Sequence, residues 1–167
     1  MRRRIRQFYI NATDKMTDSD YEYVETVLTN EELNLFNKML KSEQKHSVRV
    51  AKDIESMIEY IVIDDPEIVK NKDLLIKAGL LHDIGKSKVK INIFEKSIIV
   101  ILNKITKSKL RKINNKKIDC YYNHGYYSYE YLKGIIKNEM ILNIVKNHHT
   151  VSNDKCIEFF KKIDDRN

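Results

Sequence analysis

The chain has very few of the residues that interrupt helices or build tight turns. Its 167 residues include one proline, Pro66, and only four glycines. Proline and glycine are the residues least compatible with a helix interior, so their scarcity favours long helices joined by few tight turns. The alternation of apolar and polar residues that is typical of strands is nowhere sustained. The sequence therefore predicts an all-α, single-domain protein.

Long apolar segments and paired cysteines are also missing. The longest uninterrupted apolar run is residues 98–102, far too short to cross a bilayer. No apolar stretch follows the basic residues 2–6, so we expect no secretory signal. Cys120 and Cys156 lack the mutual spacing of a metal site, and we expect reduced, buried thiols. These absences predict a cytoplasmic protein with no membrane partner, and a hydrophobic content of 42% argues against disorder.

Apolar residues that recur with the helical period of about 3.6 residues predict the positions of the helices. A short helix is expected after a cap at Thr29 or Asn30, with Leu40 among its inward residues. Ser42 is expected to cap a long helix that runs to about Val62, and Pro66 to open the next one. Residues 107–117 are predicted to be an exposed basic connection. The remaining predicted helices are residues 91–106, with Ile91, Phe94, Ile98, Ile101, Leu102 and Ile105 in phase, one from about His124, one after Gly134, and one from a cap at Asn153 or Asp154 to Asp165.

All five histidines lie where a metal centre built from several helices would need them. His46, His82, His124 and His148 each lie on or at the edge of an apolar helical stripe, and His149 follows at once. A polar side chain on an apolar stripe needs a buried partner. Imidazole nitrogens and carboxylate oxygens are ligands that first-row divalent metals accept. The sequence therefore predicts that side chains from separate helices converge on one metal site.

His82 and Asp83 are neighbours in the run A-G-L-L-H-D-I-G-K. Neighbouring helical residues point about 100° apart, so both can reach one metal only where the helix ends, and Gly85 supplies such a place. The two oxygens of Asp83 would let it bind one metal and bridge to a second. Two metals about 3.5–4 Å apart can hold a hydroxide at neutral pH and stabilise an in-line displacement at phosphorus. Nitrogen and oxygen ligands without cysteine favour such a hydrolytic centre over a structural zinc site.

A basic segment follows this pair. Residues 86–117 contain eleven lysines or arginines and a single acid, Glu95. Such a segment suits a phosphorylated substrate, although solvated lysines in a lysine-rich chain are the simpler explanation. Lys86, one turn after His82, is a candidate for contact with a substrate phosphate, with a half-exposed surface lysine as the alternative.

Residues 46–165 resemble the HD-domain metal-dependent phosphohydrolase superfamily, in which an H…HD…D pattern binds metal in a helical bundle. The matching pieces are residues 46–51 (H-S-V-R-V-A), residues 78–86 and Asp165. The HDIG form and the extra histidines are similar to the branch with an H…HD…H…H…D pattern. That branch includes the bacterial symmetrical diadenosine-tetraphosphate hydrolases and the HD-GYP cyclic-dinucleotide phosphodiesterases. Residues 150–153 (T-V-S-N) stand where the HD-GYP group has its glycine-tyrosine-proline signature, which disfavours cyclic-dinucleotide hydrolysis.

The resemblance implies an HD-type helical bundle at residues 41–167, preceded by a helical extension at residues 1–40. It also implies two divalent metals, iron or manganese ahead of zinc, magnesium, nickel or cobalt. The diadenosine-tetraphosphate hydrolase group has one histidine where this chain has His148 and His149, so His149 is either a ligand or a phosphate contact. We prefer Asp165 to Asp164 as the last ligand, because packed apolar residues precede it. The implied metal ligands are His46, His82, Asp83, His124, His148, His149 and Asp165.

The implied function is metal-dependent hydrolysis of a phosphate ester or anhydride, with a nucleotide or dinucleotide as substrate. Asp83 and Lys86 would be the catalytic residues. One alternative is a nucleotide- or nucleic-acid-binding module that keeps the fold without turnover, with residues 2–6 and 86–117 as its phosphate-contacting surface. A second alternative is a di-iron oxygenase on the same scaffold.

Overall fold

Helices follow one another along the whole of the described chain. The computed structural model describes residues 13–60, 65–107 and 109–167. Every regular element within these ranges is helical, which confirms the predicted all-α class. Two of them are 3₁₀ turns, Ile84–Lys88 and Lys109–Lys112. The α-helices are α1 (Asp18–Val27), α2 (Asn30–Phe36), α3 (Lys41–Tyr60), α4 (Pro66–Lys70), α5 (Lys72–Leu81), α6 (Ile93–Ile105), α7 (Lys116–Leu132), α8 (Glu139–Asn147) and α9 (Lys155–Asp164).

Side-chain caps determine where several helices begin. The Thr29 hydroxyl accepts from the Glu32 backbone N–H, and the Glu32 carboxylate accepts from the Thr29 N–H at 2.9 Å. This reciprocal pair is a capping box, and it makes Thr29 rather than Asn30 the cap of α2. At α9 the carboxylate of Asp154, not the side chain of Asn153, accepts from the first free N–H groups.

Two predicted helices differ from the observed ones. The segment after Pro66 forms two helices instead of one, because Asn71 leaves the helical conformation, with φ −100° and ψ 17°. Helix α7 begins well before the predicted start at His124, because the Asn115 carboxamide accepts from two backbone N–H groups of its first turn. The predicted end of α3 near Val62 lies outside the described residues.

The hydrophobic core lies around the contact between α3 and α5, with α8 and α9 packed beside them. A Cβ at Gly79 of α5 would lie 3.1 Å from the Ala51 Cα, so the two helix backbones approach closely. Val24 of α1 and Phe36 of α2 are fully buried in the same cluster. Residues 1–12 are outside the described ranges, and the domain boundary after residue 40 stays a prediction. No helix in the described part of the chain is both long and apolar enough to cross a membrane.

Helix α6 carries its apolar stripe on the outside. From Phe94 onward, the apolar residues of the predicted stripe share one face of α6, as their spacing predicts. An apolar stripe normally packs against the core, but this one is exposed to solvent. Ile99, 7% exposed, lies on the packed side of the helix. The exposed fractions on the outer face are 71% for Phe94, 57% for Ile98, 58% for Ile101, 41% for Leu102 and 71% for Ile105.

Gly85 lies in the 3₁₀ turn Ile84–Lys88, pressed against α7. A Cβ at this position would lie 2.1 Å from the His124 carbonyl oxygen and 2.5 Å from the Ser128 backbone nitrogen. The Gly85 N–H donates to the Ser128 hydroxyl at 2.8 Å, and that hydroxyl donates to the His82 carbonyl at 2.6 Å. The absence of a side chain at Gly85 therefore lets the 3₁₀ turn after α5 pack directly against α7.

Gly85→Ala should destabilise the fold by about 1–3 kcal/mol or more, because the methyl group would meet backbone atoms that cannot rotate away. Gly134→Ala is the matched control, since no atom lies within 4 Å of a Cβ built there. Its stability should stay within about 0.5 kcal/mol of the wild type. Urea unfolding of both variants measures the difference. Equal stabilities would contradict the close contact at Gly85.

Candidate metal centre

His82 and Asp83 lie where α5 ends and the chain enters the 3₁₀ turn. His82 is the C-cap of α5, with φ −58° and ψ −31°, whereas Asp83 has φ −102° and ψ 3°. The two side chains are buried and point to the same region, with His82 Nε2 3.3 Å from Asp83 Oδ2. Two adjacent ligands require the helix to end beside them, and α5 does end there. It ends before Gly85 rather than at Gly85.

Three helices bring the first group of donor atoms together. His46 of α3 places Nε2 3.0 Å from Oδ1 of Asp164 of α9 and 3.7 Å from Asp83 Oδ2. His82 Nε2 lies 3.4 Å from the same Asp164 oxygen. Donor atoms of His46, His82 and Asp83 lie within 4.8 Å of one another, as do those of His82, His148 and Asp164. This is a ligand cluster of the kind that the sequence predicted.

A second group is formed by His124 of α7 with His148 and His149, which follow α8. Their donor atoms also lie within 4.8 Å of one another, and Nε2 of His124 is 2.8 Å from Nε2 of His149. His148 is buried, whereas His149 is exposed. Asp83 lies between the groups, because its Oδ2 faces the first group and its Oδ1 is 3.4 Å from His124 Nε2. A carboxylate in this position has the geometry of a ligand shared by two metals.

Backbone carbonyls orient three of the histidines. Nδ1 lies 2.9 Å from the Gly79 carbonyl in His82, 2.9 Å from the Tyr121 carbonyl in His124 and 2.7 Å from the Val145 carbonyl in His148. A carbonyl oxygen only accepts, so Nδ1 carries the proton in each neutral ring and Nε2 presents a lone pair. Metal-binding histidines are commonly held in this way through the nitrogen that does not bind.

Some of the buried polar atoms of the centre have no hydrogen-bond partner among the described residues. They include Nε2 of His82, Nε2 of His148 and Oδ1 of Asp83. An unsatisfied buried polar atom costs about 1–3 kcal/mol, so several of them within one cluster of candidate ligands indicate a missing partner. The donors are nitrogen and carboxylate oxygen without sulfur, and this set fits a divalent metal.

Charges compensate one another at close range in this centre. Burial lowers the pKa of His124, and the positive charge of Lys86 lowers it further, to about 3. Burial also lowers the pKa of His82, but the carboxylates of Asp83 and Asp164 outweigh it and raise the pKa to about 10. Burial raises the pKa of Asp83, yet the charges of His82 and Lys86 hold it well below its usual range. Without a metal, the His82 proton partly neutralises the two carboxylates, and a metal would replace that proton.

Lys86 is held between two buried carboxylates rather than lying on the surface. Its Nζ contacts Asp83 Oδ2 and lies 3.1 Å from Glu43 Oε2. Glu43 Oε1 is also 3.3 Å from Nζ of Lys96 of α6. Burial raises the pKa of Glu43, but the charges of Lys86 and Lys96 outweigh it and lower the pKa to about 2. Sequence reasoning missed Glu43, although its position three residues before His46 places both on one helix face.

The structure corrects the choice of the last acid from Asp165 to Asp164. Asp164 is 9% exposed and contacts His46, whereas Asp165 is exposed at the C-cap of α9. Phe160 is fully buried, and Asp164 follows it by four residues, so the two share the packed face. Asp165 points about 100° away from Asp164 and so leaves that face.

Asp164→Asn should weaken metal binding strongly, whereas Asp165→Asn should leave it unchanged. Loss of an outer partner of a ligand already costs about 10–100-fold in metal affinity, so loss of a direct ligand should cost at least as much. Calorimetric titration of both variants with Mn²⁺ makes the comparison, with each variant carrying the same change in charge. A larger effect at Asp165 would restore the original prediction and contradict the observed placement.

Comparison with known proteins agrees with this geometry. A family model described as HD domain matches residues 44–165, a range that contains both groups of candidate ligands. A search of curated proteins and a search of solved structures each found no match. Because the family model covers most of the 167 residues, the chain belongs to the HD domain family.

Proposed function

We propose that this protein is a metal-dependent phosphohydrolase whose centre binds two divalent metals. The placement of Asp83 between the two histidine groups supports this most directly. The unpartnered buried nitrogens and the absence of sulfur from the donor set agree with iron or manganese. One metal would be held by His46, His82, Asp83 and Asp164, and the other by Asp83, His124, His148 and His149.

Bound metals of this kind supply Lewis acidity toward water and toward a phosphate oxygen. The chain's own contribution is to fix the donors and to place a cation beside them. Asp83 and Glu43 occupy two of the three N–H donors of Lys86, which leaves one for a phosphate oxygen. The Lys86 side chain is 19% exposed, so part of it reaches solvent. Lys86 would therefore stabilise the negative charge of the substrate as it reacts.

The substrate class that fits the charge of this region is a nucleotide or dinucleotide. Lys96 of α6 approaches the same Glu43 as Lys86, so two lysines lie at this edge of the centre. Cations beside a low-dielectric cleft raise the local concentration of anionic substrates. Phosphate groups would enter between this positive edge and the two ligand groups.

Hydrolysis of a nucleotide panel, with the nucleotide products and any phosphate separated by chromatography, tests the proposal. The metal-loaded protein is offered nucleoside mono-, di- and triphosphates and dinucleoside polyphosphates, with chelated protein as the control. Turnover of at least one substrate, lost on chelation and restored by metal, is the expected result. Protein that holds two metals and hydrolyses none of these compounds would contradict the hydrolase and favour the binding module. Consumption of oxygen with an organic substrate would favour the oxygenase.

A further inference from the structure

The outer face of α6, formed by Phe94, Ile98, Ile101, Leu102 and Ile105, has no role in the proposed function. The described residues include ten exposed large apolar side chains, and six of them lie between residues 94 and 113. Scattered apolar residues are normal on a protein surface, but a concentration on one helix face marks an interaction site.

This face points away from the metal centre. The opposite side of α6 contacts the body of the protein through buried Ile99, through Lys96, which pairs with Glu43, and through Asn103, which accepts from the Tyr122 hydroxyl. The outer face is therefore presented to solvent by a helix that is anchored on its other side. Its aliphatic residues Ile98, Ile101, Leu102 and Ile105 are available to a large flat partner.

The surroundings of this face are positively charged. The single acid of residues 86–117, Glu95, forms an ion pair with Lys117. The exposed cations of the same segment are Lys88, Lys90, Lys104, Lys107, Lys109, Arg111, Lys112 and Lys116. A partner must therefore offer an apolar region together with negative charge.

We propose that the outer face of α6 docks on the surface of an anionic lipid bilayer. An aliphatic and phenylalanine face beside lysines is typical of helices that lie in the membrane interface. Protein interfaces are depleted in lysine, and single-stranded nucleic acids need aromatic rings on which their bases stack. A largely aliphatic face among lysines therefore suits a protein or a nucleic acid less well than a lipid surface. A second copy of the chain would carry the same positive charge and be repelled. Surface docking needs no spanning segment, so the lack of long apolar runs does not oppose it.

Two forces should act together in this docking. The apolar face enters the boundary between headgroups and acyl chains, and the lysines are attracted to anionic headgroups within a screening length of about 8–10 Å. Binding should therefore require both anionic lipid and an intact apolar face. It should weaken as salt is added.

Co-sedimentation of the full chain with vesicles tests the proposal. We expect binding to vesicles of phosphatidylcholine mixed with phosphatidylglycerol, and little binding to phosphatidylcholine alone. Ile101→Glu should lower the partition coefficient by about tenfold or more, because a charge replaces a side chain that would be buried. Val151→Glu is the matched control, since Val151 is 92% exposed, lies outside α6 and changes the net charge equally. It should bind nearly as the wild type does.

Three results would overturn the proposal. The first is no binding to either kind of vesicle at low salt. The second is equal binding by Ile101→Glu and Val151→Glu, which would place the contact elsewhere on the basic surface. The third is a dimer in sedimentation velocity that Ile101→Glu dissociates, which would assign the face to a second copy. Circular dichroism of the variants verifies that the helices are intact in each case.

Discussion

Asp83→Ala is expected to abolish metal binding and hydrolysis together. Its two oxygens face the two groups of ligands, so its removal takes one donor from each metal site at once. Without metal the Lewis acid needed for hydrolysis is missing, and turnover should fall to the background rate. Elemental analysis and chromatography of the reaction products on the same preparation measure both effects, with circular dichroism to verify the helical content.

A matched control exists at the start of α5, the helix that precedes Asp83. Asp73 is an exposed acid in the first turn of α5, and Asp73→Ala should keep both metal content and turnover. Asp83→Asn preserves the volume of the buried side chain, and it should lose metal even if Asp83→Ala proves unstable. Two equivalents of metal retained in both Asp83 variants, or turnover by a metal-free variant, would contradict the assigned role.

Lys86→Ala is expected to keep both metals and lose most of the turnover. In the proposed mechanism this lysine contacts the substrate and binds no metal. Removal of one preorganised charge contact typically lowers the rate by a factor of about 10²–10³. Steady-state kinetics together with metal analysis separates this outcome from that of Asp83→Ala.

Two further variants separate the effect of the Lys86 charge on turnover from the effect of Lys86 on stability. Lys88→Ala removes an exposed lysine of the same 3₁₀ turn, which lies over the Tyr127 ring, and should keep full turnover. Lys86→Ala leaves the buried carboxylate of Glu43 partly unpaired, with Lys96 as its remaining lysine partner among the described residues, and this can destabilise the fold. The double variant Lys86→Ala with Glu43→Gln removes that unpaired charge. Full activity in Lys86→Ala would make this lysine a purely structural residue.

The ligand groups were predictable because helical periodicity determines which residues share a face. His46 and His148 continue apolar stripes, and the sequence places the His82–Asp83 pair at the end of a third. The choice between Asp164 and Asp165 was not predictable in the same way. Both acids occur in the last turn of an amphipathic helix, and the small rotation of α9 against α3 decides which of them contacts His46.

Periodicity also says nothing about what a helix face contacts. The stripe on α6 has the pattern of a packed helix, yet only tertiary structure shows that Ile99 faces inward while Phe94 and Ile105 face solvent. The start of α7 was missed for a different reason. Its first turns are polar and basic, and the signal for it is the local cap at Asn115 rather than an apolar repeat.

The metal content of the protein tests the central claim most directly. Protein purified without chelators and without metal-affinity resin is analysed for all transition metals before and after soaking with Fe²⁺ or Mn²⁺. We predict about two equivalents per chain, one for each group of ligands joined by Asp83. Less than about a tenth of an equivalent, with none taken up on soaking, would contradict a metal centre at this site.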